Sequence, residues 1–302
     1  MDEMRLPGAA DVIVLGAGLA GHSAALAAAE AGASVLLLEK TPRPGGSTLM
    51  SAGSFALAGT DLQAAIGVTD SPEGLEAELN KVAGGKADKE LVRLYVEHQA
   101  GAYVWLKKQG VVFHKVSLSA STSVPRTHPT DPGQLMDALH ARVREHPSIR
   151  YLSSVAATAL HSGTGQRDVL GIEAVHNGRP VTVRAKRGVV IATGGFTRNR
   201  DLVQRFAPEL SEAPAWGGEG NTGDGLTMAW ELGADLIDMG YVTGTFGVAI
   251  NHYPDTAVRE GDELLLRMAM YRGGIAVNVE GKRFADESLS YKALATRCLA
   301  QP

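Results

Sequence analysis

The sequence predicts an α/β protein whose first domain contains a parallel β-α-β unit. Residues 11–15 and 34–38 are short apolar runs of strand length, and the alanine-rich segment 21–31 between them has the composition of a helix. Gly32 follows that segment, where glycine suits the left-handed conformation that commonly ends a helix. A unit of about 30 residues has the size of a parallel crossover, so these elements are expected at the centre of the sheet.

The composition is that of a globular chain with one large domain or two domains. Of its 302 residues, 44% are hydrophobic and 21% charged. The 29 Lys+Arg and 33 Asp+Glu give a net charge of −4 without long single-sign runs, which argues against a nucleic-acid partner. No apolar stretch approaches the ~18 residues of a membrane span, and the single cysteine, Cys298, fits a reducing compartment. We therefore expect a cytoplasmic protein without a membrane span.

The rest of the chain is predicted as a helical block followed by strands. Residues from about 60 to 145 have helical periodicity, with Asp88 as a cap and a core face of Leu91, Leu94, Tyr95, Val104, Trp105 and Leu106. Strands are predicted at 151–160, 169–175, 181–183 and 188–192, and helices at 202–206 and 226–232. A change of composition near Met239 separates a first domain, residues 1–239, from residues 240–302.

Glycine is unusually frequent, at 36 of 302 residues or about 12% against a usual ~7%, and it occurs in clusters. The first cluster, Gly16-Ala17-Gly18-Leu19-Ala20-Gly21, lies between the first strand and the helix. Its glycines permit a tight turn, close approach of backbone to a pyrophosphate, and close helix packing, while the N–H groups near Leu19 and Ala20 face the anion. Glu39 ends the next strand, where an acid binds a ribose hydroxyl. This arrangement predicts a dinucleotide site.

A second Gly/Ser-rich segment follows that acid directly, where a nicotinamide dehydrogenase would usually have another crossover helix. Two interpretations are open: an ordinary surface turn, or a loop that supplies N–H groups to the diphosphate and flavin of FAD. The candidate contacts are Lys40, Thr41, Gly45, Gly46, Ser47, Ser51, Ala52 and Gly53.

Two further glycine segments favour FAD. One is a strand that runs into Thr193-Gly194-Gly195, and the other is Asn221-Thr222-Gly223-Asp224 before a helix. Taken in order, the four segments resemble the flavoprotein family that contains fumarate reductase, succinate dehydrogenase and 3-ketosteroid dehydrogenase, over about residues 11–300. The resemblance implies a Rossmann-like, glutathione-reductase-type FAD-binding domain and the start of an α+β cap domain. It also implies FAD contacts at Thr193, Gly194, Gly195, Asn221, Gly223 and Asp224.

The resemblance also bears on the branch of the family. Where soluble fumarate reductases have a His-Pro pair, this chain has about Thr245, and Tyr291 stands where they have a proton-donating arginine after Gly281-Lys282-Arg283-Phe284. A tyrosine at that place is similar to 3-ketosteroid dehydrogenases, which implies that Tyr291 is a catalytic base; the alternative is a tyrosine that only packs in the cap. Asp286 replaces the family's usual asparagine.

The segment Arg126-Thr127-His128 resembles an Arg-Ser-His element of the same family. The resemblance implies that Arg126 and His128 face the flavin or substrate, and the alternative is an exposed ion-pairing loop. The histidines show no metal-ligand spacing, since His140 and His146 would lie on different helical faces, so no metal site is predicted. Cys298 is predicted to be a small buried hydrophobe.

Together these features predict an FAD-dependent oxidoreductase. It would transfer a hydride between flavin N5 and a carbon next to a carbonyl, by α,β-desaturation or ene-reduction, on a ketone or steroid-like small molecule. One alternative is a dicarboxylate reductase similar to fumarate reductase. Another is a non-catalytic FAD-binding subunit or a fragment, because family members are longer and have a Gly-Leu-Tyr-Ala-Ala-Gly-Glu segment that does not occur here before Pro302. A partner chain or a further segment would then complete the flavin site.

Overall fold

The computed structural model describes residues 6–119, 122–163, 168–244, 273–289 and 291–302. The chain divides into two compact units, Met1–Gly194 and Gly195–Pro302. The predicted boundary near Met239 falls inside the second unit, and most of the residues that follow it lie outside the described part. The division into an FAD-binding domain and a cap domain therefore stays a prediction.

The first unit is built on a six-stranded sheet in the order β5-β2-β1-β8-β7-β6. Strands β1 and β2 are parallel, and they also pair in parallel with β8 and β5 respectively, whereas β7 is antiparallel to both of its neighbours, β6 and β8. The predicted α/β class is confirmed. The strands are β1 Ala9–Leu15, β2 Val35–Leu38, β5 Ile149–Leu152, β6 Val155–Ser162, β7 Val169–His176 and β8 Arg179–Ile191.

Helices of the first unit begin at side chains that cap them. Thr60, Ser71, Asp88 and Asp131 each accept a hydrogen bond from a backbone N–H of the first turn that follows, as such residues do at helix N-termini. The cap predicted at Asp88 is therefore confirmed. The helices are α1 Leu19–Glu30, α2 Asp61–Ala65, α3 Pro72–Ala83, α4 Lys89–Lys108 and α5 Pro132–Glu145.

The main core lies between the sheet and helices α1 and α5. Val14 and Leu37 of the central strands are fully buried, and so are Leu26 of α1 and Leu139 of α5. A separate two-stranded sheet, β3 Ser54–Ala56 with β4 Thr127–Pro129, is antiparallel. It joins the segment after the second glycine loop to the Arg126–His128 segment.

Most of the predicted core face of α4 is wrong. Leu91 and Val104 are 66% and 50% exposed; the buried positions are Val96, Gln99, Tyr103 and Leu106, and of these only Leu106 was predicted. Polar residues can occupy that face because their polar atoms have partners: Gln99 exchanges two hydrogen bonds with the Ala58 backbone. Apolar spacing alone therefore assigned several exposed residues to the core face and left out the buried polar one.

Two strand predictions also change. The segments 181–183 and 188–192 form one strand of 13 residues, β8, because the charged residues between them lie on exposed positions and Lys186 pairs with Asp11. The segment 151–160 is two strands, β5 and β6, separated by a turn in which Ser154 has a φ of 55°. Left-handed backbone at a serine interrupts the strand and is not signalled by the sequence.

One edge of β8 is open. Residues 179–184 of β8 pair with β7, but from Ala185 to Ile191 it pairs only with β1 among the described strands. Val190 and Ile191, near its end, are 38% and 40% exposed. This part of the strand therefore has unpaired backbone groups on one side within the described structure.

The second unit contains α6 Arg200–Phe206, α7 Asp224–Glu231 and α8 Tyr291–Leu299. A small apolar cluster packs Leu294 of α8 against Ala276, Phe284 and Leu289. Cys298 is exposed, so its prediction as a buried residue is wrong. Within the described residues, no helix has both the length and the apolar character needed to cross a membrane.

Candidate functional site

The first glycine cluster forms a turn between β1 and α1 that excludes side chains at two positions. Gly16 has a φ of 97°, and a Cβ there would lie 2.5 Å from the Ala192 carbonyl oxygen. A Cβ on Gly21 would lie 1.8 Å from the Gly16 carbonyl oxygen. At Gly18 the nearest atom would be 3.5 Å away, an ordinary contact, so the protein itself does not require glycine there. The lack of a side chain at Gly18 fits the close approach of a ligand's pyrophosphate to the backbone.

The N-terminus of α1 offers backbone N–H groups next to Gly18. Gly18 is the N-cap and has no side chain to bond the first turn. The Leu19 N–H donates to Thr48 Oγ1 at 3.0 Å, so one predicted FAD contact has a protein partner. The N–H groups of Ala20 and Gly21 point out of the helix end, where an anion is favoured by both hydrogen bonding and the helix dipole.

Glu39 stands at the end of β2 with its side chain turned back towards the glycine turn. Its Oε2 accepts from the Ala17 N–H at 2.9 Å, and its Oε1 accepts from the N–H and hydroxyl of Thr41, each at 2.8 Å. The residue is 8% exposed. A carboxylate has about four lone-pair directions, so these three bonds leave capacity for a ribose hydroxyl. The ribose contact stays a prediction.

The second glycine loop is hydrogen-bonded to the first. The Gly45 N–H donates to the Ala17 carbonyl oxygen at 2.9 Å, and Thr48 Oγ1 holds the start of α1 as described above. Gly45 and Gly46 have φ values of 120° and 48°, which favour glycine, and a Cβ on Gly46 would meet nothing within 4 Å. The interpretation of this segment as an ordinary surface turn therefore does not account for its contacts. Lys40 and Ser47 belong to the same stretch.

The end of this loop is tied to the small sheet. Ser51 Oγ donates to the Thr48 carbonyl oxygen at 2.8 Å and accepts from the Gly53 N–H at 3.1 Å, with Ala52 between them. The Gly53 carbonyl oxygen accepts from the Thr130 N–H at 2.8 Å. A Cβ on Gly53 would lie 2.1 Å from the Thr130 carbonyl oxygen, so the chain can pass here only as glycine.

The third and fourth glycine segments divide between the two units. Thr193 and Gly194 follow β8 in the first unit, and Thr193 Cα lies 3.1 Å from the Cβ position of Gly16. In the second unit the Gly223 N–H donates to the Gly195 carbonyl oxygen at 2.9 Å, and Asn221 Oδ1 lies 3.2 Å from the Cβ position of Gly195. Asp224, which begins α7, accepts from the Thr222 hydroxyl at 2.6 Å.

Arg126 and His128 are buried, at 3% and 0% exposure. Arg126 donates to both carboxylate oxygens of Asp70, at 2.7 and 2.8 Å, and forms an ion pair of 2.6 Å with Glu78. The alternative prediction of an ion-pairing loop is right about the pairing and wrong about the exposure. A direct contact of either residue with flavin or substrate stays a prediction.

The contacts of His128 fix the tautomer of its neutral ring. Nδ1 donates to the Arg126 carbonyl oxygen at 2.8 Å, which can only accept, so in the neutral form Nε2 accepts from the Thr60 hydroxyl at 2.7 Å. Burial lowers the pKa of His128, which agrees with this neutral form. In Asp70, burial acts to raise the pKa, but hydrogen bonds from Arg126 and Gln63 outweigh it, so the pKa lies below its usual value.

The predicted catalytic tyrosine is only partly described. Tyr291 is the first residue of α8, but its side chain lies outside the described part, as does Thr245. Just before it, Arg283 forms an ion pair with Glu287, whose Oε1 also accepts from the Ala276 N–H at 2.8 Å. The bonds from Arg283 and then Ala276 lower the pKa of Glu287 to about 2.

One titratable cluster was missed by the sequence analysis. His22 of α1 is fully buried; its Nδ1 donates to the Gly18 carbonyl oxygen at 3.0 Å, and its Nε2 lies 3.1 Å from Nδ1 of His140 on α5. The His140 ring also packs edge-on against Tyr151. Burial lowers the pKa of His22 to about 4 and raises that of Tyr151 to about 12. His22 and His140 are 118 positions apart, so no local spacing could reveal the pair.

A sequence family described as FAD binding domain matches residues 11–302. The chain belongs to this family. The predicted cofactor, FAD, is therefore confirmed. The curated relatives of this chain include reductases. The chain is 30% identical to the NADH:fumarate oxidoreductase of Klebsiella pneumoniae (strain 342) over 301 residues. The match covers 98% of this chain and 31% of that protein.

Solved structures similar to this FAD binding domain come from both predicted branches. A flavocytochrome c3 fumarate reductase in an open conformation matches with a TM-score of 0.85 and 28% identity, covering 97% of this chain and 51% of that chain. The 3-ketosteroid-Δ4-(5α)-dehydrogenase of Rhodococcus jostii RHA1, in complex with 4-androstene-3,17-dione, matches with a TM-score of 0.77 and 30% identity, covering 98% and 65%. The chain thus spans less than two thirds of the length of each of these three proteins.

Proposed function

We propose that this chain is the FAD-binding part of an oxidoreductase that transfers a hydride between flavin N5 and a carbon next to a carbonyl. The compounds named for its relatives support this chemistry. Fumarate and 4-androstene-3,17-dione each contain a carbon–carbon double bond conjugated with a carbonyl group. When bound, FAD supplies the two-electron chemistry, and the protein supplies binding and orientation.

The observation that carries the proposal is the hydrogen-bonded cradle around Gly18. The Gly45 N–H bond to Ala17 and the Leu19 N–H bond to Thr48 join the first two glycine segments, and Gly16 packs on the residues that follow β8. In this proposal the N–H groups of Ala20 and Gly21 bind the diphosphate, Glu39 binds the ribose, and the segment from Gly45 to Gly53 lies along the flavin end.

For the substrate we propose a ketone, with Tyr291 moving the proton on the carbon next to the carbonyl. A phenol has a pKa near 10 and is a weak base at neutral pH, so its anion would need stabilising neighbours. The support is the position of Tyr291 after the Arg283–Glu287 segment, where a dicarboxylate reductase of this family would have an arginine. Removal of the proton leads to desaturation, and its return leads to ene-reduction.

A dicarboxylate reductase is the second candidate. It is favoured by the 30% identity to an NADH:fumarate oxidoreductase along 98% of this chain. A third candidate is an FAD-binding piece that needs more chain for catalysis. It is favoured by the partial coverage of the relatives and by the open edge of β8 beside Val190 and Ile191.

One set of turnover assays separates the three candidates. The FAD-loaded chain is given a 3-keto steroid with an oxidising dye, and separately fumarate with a reduced dye. Steroid turnover supports the ketone proposal, and fumarate turnover without steroid turnover overturns it in favour of the dicarboxylate. A chain that binds FAD stoichiometrically but turns over neither substrate supports the third candidate.

A further inference from the structure

A buried ion network lies behind the second glycine loop. Arg126 is held by Asp70, which precedes α3, and by Glu78 within α3; the exposed side-chain fractions are 4% for Arg126, 3% for Asp70 and 12% for Glu78. A Cβ on Gly74 would lie 3.0 Å from Arg126 Nη2, so a glycine in α3 makes room for the guanidinium. A buried charge cluster of this kind is costly to desolvate and is weak support for stability alone.

The network is connected to the second glycine loop through β4 and its hydrogen bonds to β3 and to Gly53. The Arg126 carbonyl oxygen accepts from the Leu57 N–H at 3.0 Å and from His128 Nδ1 at 2.8 Å. His128 pairs with Phe55 across the β3–β4 sheet. At the end of β4, the Thr130 N–H bonds to Gly53, the last residue of the predicted flavin contact.

The second carboxylate fixes the orientation of the guanidinium. Asp70 occupies Nε and Nη2 of Arg126, while Glu78 occupies Nη1 and also accepts from the Ser123 N–H at 2.7 Å. Asp70 accepts further from Gln63, which also donates to the Pro125 carbonyl oxygen at 2.8 Å. The chain that enters β4 is therefore held at Ser123 by Glu78 and at Pro125 by Gln63.

We infer that Asp70 and Glu78 are positioning residues for the flavin, acting through Arg126 and β4 on the loop Ser51–Gly53. This inference rests on the proposed function, because the contact of that loop with FAD is itself part of the proposal. The residues do not touch the ligand. They set the position of backbone that does, as supporting residues around a binding site do.

The test compares Glu78→Ala with Glu97→Ala. Both change a helical glutamate paired with an arginine, but the Arg93–Glu97 pair on α4 is about half exposed and leads to no loop. Asp70 still pairs with Arg126 in the Glu78 variant, which favours folding. We expect Glu78→Ala to weaken FAD binding about tenfold and to shift the visible spectrum of bound flavin, with Glu97→Ala unchanged in both. Unfolding of the apoproteins is measured alongside.

A third variant, Gly53→Ala, separates failure of this inference from failure of the proposed function. It displaces the loop directly, since its Cβ would lie 2.1 Å from the Thr130 carbonyl oxygen. If Gly53→Ala changes the flavin spectrum and Glu78→Ala changes only the unfolding of the apoprotein, the positioning role is overturned. If a folded Gly53→Ala protein binds FAD with an unchanged spectrum, the loop is no flavin contact and the proposed site fails. Loss of folding in Glu78→Ala overturns the inference in favour of a purely structural role.

Discussion

His22 shows how a single buried side chain can link the nucleotide turn to pH. Its imidazole is fully buried, bonded on one side to the Gly18 carbonyl oxygen and on the other to His140. The charge of Glu39, at the end of β2, acts to raise the pKa of His22 and that of Tyr151 on β5. Burial dominates and keeps His22 neutral, with its pKa lowered from 6.5 to about 4.

The first prediction follows from that shift. Above pH 6.5 His22 is neutral in both the folded and the unfolded chain; between 6.5 and about 4 the unfolded chain binds a proton that the folded chain does not. The free energy of unfolding therefore falls with decreasing pH in this window, by up to ~1.4 kcal/mol per pH unit for this group. Replacement of His22 by Leu should flatten the slope, measured by urea unfolding of the apoprotein.

The matched control is His98→Leu, since His98 of α4 is exposed. Its pH dependence should follow that of the unchanged protein. An equal slope in the His22 and His98 variants would mean that His22 titrates freely in the folded chain, contrary to its contacts with Gly18 and His140.

The second prediction concerns Tyr291. If its phenol moves the substrate proton, Tyr291→Phe should reduce turnover of a 3-keto steroid by about 10²–10⁴-fold and leave FAD binding unchanged, because only the hydroxyl is lost. Tyr241→Phe is the control, as Tyr241 is 62% exposed. Steady-state rates measure the effect, and equal rates in both variants would refute the role of Tyr291.

At the scale of elements, the turn between β1 and α1 gives the third prediction. Gly21 and Gly101 are both helical glycines, but a Cβ on Gly21 would lie 1.8 Å from the Gly16 carbonyl oxygen, whereas Gly101 has nothing within 4 Å. Gly21→Ala should destabilise the chain by roughly 1–3 kcal/mol through overpacking. Its Kd for FAD should rise about tenfold or more, which is ~1.4 kcal/mol of binding energy.

Gly101→Ala should act in the opposite direction. Alanine at an exposed helix position is better than glycine, so the free energy of unfolding should increase by roughly 1 kcal/mol with FAD binding unchanged. Thermal unfolding and flavin fluorescence titration measure both quantities. Equal FAD affinity in the two variants would contradict the packing of α1 on the glycine turn.

The elements that sequence predicts best are those with local signals. The β1-α1-β2 unit, the cap at Asp88 and the glycine turns follow from spacing, because each depends on residues close in the chain. The single strand β8 and the buried face of α4 do not, because they depend on partners elsewhere: Asp11 for Lys186, and the Ala58 backbone for Gln99.

The candidate site follows the same division. The glycine positions are predictable, whereas the contacts of Arg126 are not, since Asp70 is 56 positions away and only the folded chain brings them together. The same holds for His22 and His140, joined by the packing of α1 on α5. Long-range polar pairs leave no periodic pattern in a sequence.

At the scale of the whole molecule, the first unit contains both the hydrogen-bonded cradle around Gly18 and a sheet edge that no other described strand pairs with. Residues 185–191 of β8 pair with β1 alone among the described strands, next to the turn that carries Thr193 and Gly194. The edge lies in the first unit, which also contains Gly16, Glu39 and the second glycine loop.

The central claim is that this chain binds FAD in the cradle around Gly18, and equilibrium titration of the purified 302-residue chain with FAD tests it most directly. Flavin fluorescence and the visible spectrum are followed in parallel for the unchanged chain and for Gly21→Ala. We expect one FAD per chain, a perturbed flavin spectrum, and weaker binding in the variant. A folded chain that takes up no FAD, or a Gly21→Ala variant that binds it equally well, would show that the turn around Gly18 is not the FAD site.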